Sequence, residues 1–163
     1  KLDPKLYAKI GKLKDLQALK LSGNEIKTFP NGFFEMNNLL YFASYNNEFG
    51  ILPNEIKKLQ NLNYLEFFGA KFDSIPSDIA YLNKLKTLKI SSTNDTLKLP
   101  TTLRYLKFLK DVTIENCVLD SFPKELFKIT SLNFLSLSNT NIFYITKHFE
   151  RLQNLEVFYA NLN

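Results

Sequence analysis

The chain has 163 residues, 45% hydrophobic, about the size of one domain and apolar enough to fill a continuous core. No apolar run approaches the roughly 18 to 20 residues of a membrane-spanning helix, since Lys, Asn, Asp or Glu recurs every few positions. Net charge is +5, from 21 Lys and Arg against 16 Asp and Glu, and a lone cysteine, Cys117, excludes an internal disulfide.

In chain order, the first segment, Tyr7 to Leu13, reads as a helical half-turn. A unit then repeats. Turn one carries Leu16, Leu19, Leu21, Asn24, Ile26, Phe29, Pro30 and Phe33; turn two carries Leu39, Phe42, Ser44, Asn47, Phe49, Leu52, Pro53 and Ile56. Turn three carries Leu62, Leu65, Phe67, Ala70, Phe72, Ile75, Pro76 and Ile79, and turn four Leu85, Leu88, Ile90, Thr93, Leu97, Leu99, Pro100 and Leu103. Turn five reads Leu109, Val112, Ile114, Cys117, Leu119, Phe122, Pro123 and Leu126, and turn six Leu132, Leu135, Leu137, Thr140, Ile142, Ile145, Thr146 and Phe149. Turn seven begins with Leu155, Phe158 and Ala160 and reaches Asn163.

The equivalents of Asn24 stand at 47, 70, 93, 117, 140 and 163, a 23-residue period broken once by a step of 24. The extra residue falls in the polar run Ser91-Ser92-Thr93-Asn94-Asp95-Thr96, which predicts a small bulge or loop. Leu19-Lys20-Leu21 alternates as a half-buried strand does, while Pro53, Ile56 and Leu59 keep the spacing of a short helical turn begun by proline. A unit of this size cannot bury its own apolar face, so successive turns must stack into one elongated core. Asn24, Asn47 and Asn163 are expected to satisfy backbone groups in the tight bend after each strand; Ala70 cannot, and Thr93, Cys117 and Thr140 can do so only in part, which predicts a looser middle.

This pattern resembles the leucine-rich-repeat family over essentially the whole chain, in the form L-x-x-L-x-L-x-x-N-x-L-x-x-L-P. The Leu-Pro step recurs at Phe29-Pro30, Leu52-Pro53, Ile75-Pro76, Leu99-Pro100 and Phe122-Pro123, and is similar to bacterial repeat proteins and to the Ras-group intracellular repeats. The resemblance implies an α/β solenoid, residues 1–163 forming one horseshoe of about seven turns, with a parallel concave sheet and short helices or 3-10 turns on the convex side. It also implies a module that binds a protein or peptide on its concave face. A structural spacer in a larger bacterial surface protein and a glycan-binding surface are the alternatives.

Catalytic chemistry has little to stand on. His148 is the only imidazole, is expected on the solvated helical side, and is far from the inward Cys117. Neither CxxC nor HxxxH occurs, and the five glycines form no phosphate-binding pattern, so no enzyme activity, metal or cofactor is expected. Asn94-Asp95-Thr96 matches a glycosylation sequon.

The outward strand positions form the candidate binding surface. Tyr41, Tyr45, Tyr64 and Phe68 fall in two columns of adjacent turns, with Glu66 and Lys89 beside them and a second pair, Phe134 and Tyr159, placed to extend the patch or be covered. Lys20, Glu66, Lys89, Asp111 and Glu115 mix signs on this face, whereas Lys57, Lys58, Lys84, Lys107, Lys124 and Lys128 fall on the convex or flanking side. That mixture speaks against a nucleic-acid groove and suits a protein or peptide. The start at Lys1 and the bare strand at the other end suggest a processed or trimmed piece of a longer protein, with end-to-end self-association through the last turn as a further expectation. The expected location is exported or on a bacterial cell surface, with the cytoplasm as the alternative.

Overall fold

The computed structural model describes residues 1–92 and 96–163. Seven strands form one sheet in sequence order: β1 (Ala18–Ser22), β2 (Tyr41–Tyr45), β3 (Tyr64–Ala70), β4 (Thr87–Ser92), β5 (Asp111–Glu115), β6 (Phe134–Ser136) and β7 (Val157–Tyr159). Every pairing is parallel and, up to a shift at the end of β3, unstaggered, so Ala18, Tyr41, Tyr64, Thr87, Asp111, Phe134 and Val157 make one row across the sheet. Opposite the sheet run 3-10 turns at Phe33–Glu35, Asn54–Lys58, Ser77–Tyr81, Thr101–Tyr105, Lys124–Lys128 and Lys147–Arg151. Four of them follow directly on Pro53, Pro76, Pro100 and Pro123, whose fixed φ and missing N–H suit a helical start. The fold is thus the α/β solenoid that the repeat implies.

The core is a single ladder. Leu39, Phe42, Leu62, Leu65, Leu85, Leu88, Leu109, Val112, Leu132 and Leu135 are all buried, each stacked on its equivalents in the neighbouring turns. Its first half is aromatic: Phe29 stacks on Phe49 with centroids 4.5 Å apart, Phe33 meets Phe42 at 5.0 Å, and Phe67 meets Phe72 at 4.8 Å. Strands β2 and β3 therefore stand on large, rigid side chains.

Apart from β4, each strand leads into a bend with a left-handed residue. Gly23, Asn46, Gly69, Asn116, Asn139 and Leu162 all have positive φ and are equivalent by the repeat. Gly and Asn reach this region at low cost. At Gly69 the pairing with β4 also shifts register, Phe68 facing Ser91 and Ala70 facing Ser92. The bend carries Asn47 inward, where its Oδ1 accepts from the N–H groups of Asn24 (3.1 Å) and Ile26 (3.2 Å) in the preceding turn. Its Nδ2 donates to Ser44 Oγ at 3.0 Å and to Tyr45 O at 3.2 Å. Asn163 does the same for Thr140 and Ile142, and Asn24 Oδ1 accepts from Leu2 N–H. Between these ends, main chain bonds to main chain along the descending segments: Ile75 N–H to Lys98 O and Leu97 N–H to Val118 O, each 2.9 Å.

Two details differ from the sequence reading. The opening helix α1 spans Pro4–Ile10, earlier than Tyr7 to Leu13, because Asp3 accepts from the N–H groups of Lys5 and Leu6 and Pro4 occupies the first turn. In turn six Ile145 is exposed instead of inward, beside Phe143 and Tyr144, which is 82% exposed. Thr146 stands where other turns have proline, and its shielded hydroxyl has no hydrogen-bond partner among the described residues. The slip expected at Thr93 to Asp95, the Thr93 ladder position and the Asn94-Asp95 part of the sequon lie outside the described residues.

Replacing Asn47 by Ala strands two backbone N–H groups, one of them Ile26's in the core. The expected loss is about 2–6 kcal/mol in a urea unfolding curve, at one to three kcal/mol, roughly, for each unsatisfied group. Gln60→Ala, at an exposed position, is expected to change stability by less than about 0.5 kcal/mol.

Candidate functional site

The unstaggered register brings the predicted patch together. Tyr41 and Tyr64 stack with centroids 4.4 Å apart and planes 16° from parallel; Tyr45 and Phe68 lie 6.3 Å apart. Phe68, at 46%, is the most exposed of these rings, and the three tyrosines are half-buried. Behind them, Phe42 and Phe67 fill the inner side of the same two strands, their rings 5.4 Å apart, so the patch stands on a packed aromatic layer.

Glu66 is the hub. Its Oε2 accepts from the hydroxyl of Tyr64 at 2.6 Å and from that of Tyr45 in the neighbouring strand. Lys20 Nζ sits 4.7 Å from the centre of the Tyr45 ring, and Lys89 Nζ 5.8 Å from that of Tyr64. One carboxylate thus ties two rings, and two ammonium groups close the arrangement from either side. The Tyr45 hydroxyl has its pKa pushed well up, chiefly by the bond to Glu66 and then by burial; Tyr64 is raised as well, chiefly by burial and then by the same bond. The hub was not legible in the sequence, where Glu66 stood only as a charge on the face.

Phe134 and Tyr159 meet edge to face at 5.5 Å but form a separate group. Thr87 and Asp111 stand between Tyr64 and Phe134 in the row, joined by a 3.1 Å bond from Thr87 Oγ1 to Asp111 Oδ2. Ser136 donates to Glu115 farther along. Several outward positions are also drier than expected. Ala43, Thr87, Ser91 and Ser136 are buried, because small side chains on a concave sheet are roofed by longer neighbours.

Elsewhere, Cys117 is buried and its thiol is pushed up to about 11 by desolvation, as its inward ladder position predicts. His148, only part-buried, packs edge-on to Phe127 with centroids 6.2 Å apart. Among the described residues no cluster of His, Cys, Asp and Glu could hold a metal ion, and no helix is long and apolar enough to cross a membrane.

A sequence model described as a leucine-rich repeat region matches residues 50–163. Among solved structures, a leucine-rich-repeat protein of Leptospira interrogans superposes with a TM-score of 0.84 at 28% identity, covering 98% of this chain and 40% of that one. A protein described as a TDR receptor gives 0.77 at 26% identity, over 93% and 27% of the two chains. An internalin of Listeria monocytogenes gives 0.63 at 21% identity, over 94% and 51%, a likeness of fold alone. The chain thus spans about half or less of the length of these proteins. No curated protein sequence matches.

Two outcomes follow from the site chemistry. Because the folded-state pKa values of Tyr45 and Tyr64 lie above the unfolded value of about 10, their protonated forms stabilise the fold fully below that pH, and the contribution fades as pH rises beyond it. Tyrosinate absorbance is expected to show delayed ionisation, and Glu66→Gln to bring Tyr45 back most and Tyr64 less; an unchanged titration would refute the shared carboxylate. Cys117 is expected to resist a thiol reagent at neutral pH until denaturant is added, which mass spectrometry reads directly.

Proposed function

The chain belongs to the leucine-rich-repeat family, whose members serve in general as protein-binding scaffolds, and on that premise we propose that it recognises a protein or peptide through the patch of Tyr41, Tyr45, Tyr64 and Phe68. The observation that carries this reading is the Glu66 bridge. It holds two phenol rings in fixed orientations on a rigid pair of strands, so a partner meets aromatic surface that has already lost most of its rotamer freedom. Such preorganised rings have the character of interface hot spots, which are rich in tyrosine. That one of the similar solved proteins is described as a receptor is in keeping with it.

Glu66 and Lys89 contribute direction to this proposal more than affinity. Both charges are part-exposed and already have partners in the patch, so they select against a mismatched approach. The Phe134 and Tyr159 pair is a second, weaker contact point, reached only by a ligand long enough to cross the Thr87 and Asp111 rows.

Affinity capture from the source organism, with the wild-type chain and a Tyr64→Ala/Phe68→Ala variant as baits, tests the assignment. A partner retained by the first and lost by the second, with circular dichroism unchanged, is the expected result; hot-spot truncations of this kind cost about 2 kcal/mol or more each, roughly thirtyfold in Kd. Equal capture by a Tyr41, Tyr45, Tyr64 and Phe68 quadruple alanine variant would overturn it.

A further inference from the structure

One flank of the solenoid departs from a rule that its other turns follow. Where the chain climbs from each 3-10 turn toward the next strand, a polar side chain holds the main chain of the turn before. Asn38 donates to Lys14 O at 3.2 Å, Asn61 to Asn37 O at 2.7 Å, Ser131 to Leu109 O at 2.7 Å, and Asn154 to Thr130 O at 2.7 Å. By the repeat, turns three and four place Lys84 and Phe108 at this position. Lys84 still reaches Asn61 Oδ1 at 2.7 Å, but Phe108 is 65% exposed and has no such bond to make.

The surroundings of these two residues share one character. Tyr81 and Tyr105, at the equivalent ends of the 3-10 turns Ser77–Tyr81 and Thr101–Tyr105, are both exposed, and Arg104 lies 5.0 Å from the Tyr105 ring. Lys110 N–H donates to Lys86 O at 2.8 Å, which sets those two lysines side by side. Among the described residues no carboxylate pairs with Lys84, Lys86, Lys107 or Lys110, whereas on the preceding turn Lys57 pairs with Asp78 at 2.8 Å and Lys58 with Glu35 at 3.2 Å. The stretch from Thr96 to Lys110 contains no Asp or Glu at all.

We propose that this flank docks on an anionic lipid bilayer. Lysines without a carboxylate partner call for a negative surface, and their flexible stems let the ammonium groups settle at headgroup level. Tyr81 and Tyr105 have the amphipathic rings that favour a membrane interface, and Phe108 gains by leaving water for the acyl boundary. Among the described residues these rings stand exposed on the side opposite the sheet and line no channel in which bases could stack, which favours a lipid surface over a nucleic-acid strand. The surface is separate from the concave patch, so its occupation does not depend on the partner proposed there.

Sedimentation of the purified chain with vesicles tests the proposal, using phosphatidylcholine alone and phosphatidylcholine mixed with phosphatidylglycerol. The chain is expected to sediment with the mixed vesicles only. Each lysine contributes about fivefold near an anionic surface, so Lys84→Glu/Lys107→Glu/Lys110→Glu is expected to weaken partitioning by about a hundredfold or more. Phe108→Ser, at unchanged charge, is expected to weaken it severalfold, and Tyr64→Ala to leave it intact; circular dichroism confirms the fold, and the Phe108→Ser result stands even should the triple variant not fold. Failure of the wild-type chain to sediment with the mixed vesicles overturns the proposal. So does full binding by a folded triple variant, or a Phe108→Ser variant that binds lipid and a single-stranded oligonucleotide as well as wild type, which would mark a polyanion surface.

Discussion

Every feature of this molecule depends on how a turn closes onto its neighbour at the end of its strand. The chain must reverse within a few residues, which calls for a left-handed backbone at Gly23, Asn46, Gly69, Asn116 and Asn139. It must also satisfy the amides that the reversal exposes, which at both ends of the solenoid is done by an asparagine from the next turn, Asn47 or Asn163. Because that closure fixes each turn without stagger, equivalent residues stand side by side. A column in the sequence becomes a physical stack, and two tyrosines one period apart become a stacked pair at 4.4 Å.

The middle turns meet the same demand differently. Cys117 offers only a weak sulfur and Thr140 a single hydroxyl, yet direct main-chain bonds hold the equivalents of the Ile26 amide there, Leu97 N–H to Val118 O and Leu119 N–H to Thr140 O, each at 2.9 Å. Side-chain and main-chain closure are exchangeable, which is why the asparagine ladder can lapse without a break in the stack. The same exchangeability separates residues that the fold needs from residues that it can spare. Asn38, Asn61, Ser131 and Asn154 are spent on the neighbouring turn; Phe108, in the same column, is not.

How much of this could be read in advance follows from the physics of periodicity. The inward ladder, the row order of the strands and the pairing of Tyr41 with Tyr64 are consequences of a fixed period and were legible from residue spacing alone. The Glu66 bridge was not, because it joins residues 21 and two positions away through side-chain tips whose reach a pattern does not encode. The burial of Ala43 and Ser136 escaped for a related reason: alternation tells which face a residue takes, while curvature and the length of its neighbours decide whether water reaches it. The left-handed column left a trace, Gly or Asn at 23, 46, 69, 116 and 139, one position before the ladder residue. Ile145 misled because a period assigns a direction and does not set how much of a side chain water reaches.

The Glu66 hub also bears on what kind of surface the concave face is. A tyrosine hydroxyl that donates to a carboxylate has used its only proton, so Tyr45 and Tyr64 can offer an incoming ligand ring faces and acceptor lone pairs but no further donor. With Lys20 and Lys89 set over two of those faces, the donors available at the patch are chiefly ammonium groups. On the proposed function, a partner that complements it brings carboxylate or carbonyl oxygens to the rim and apolar surface to Phe68 and the outer face of Tyr41. For the protein or peptide recognition proposed above, a segment with an acidic residue next to an aliphatic or aromatic one has that character.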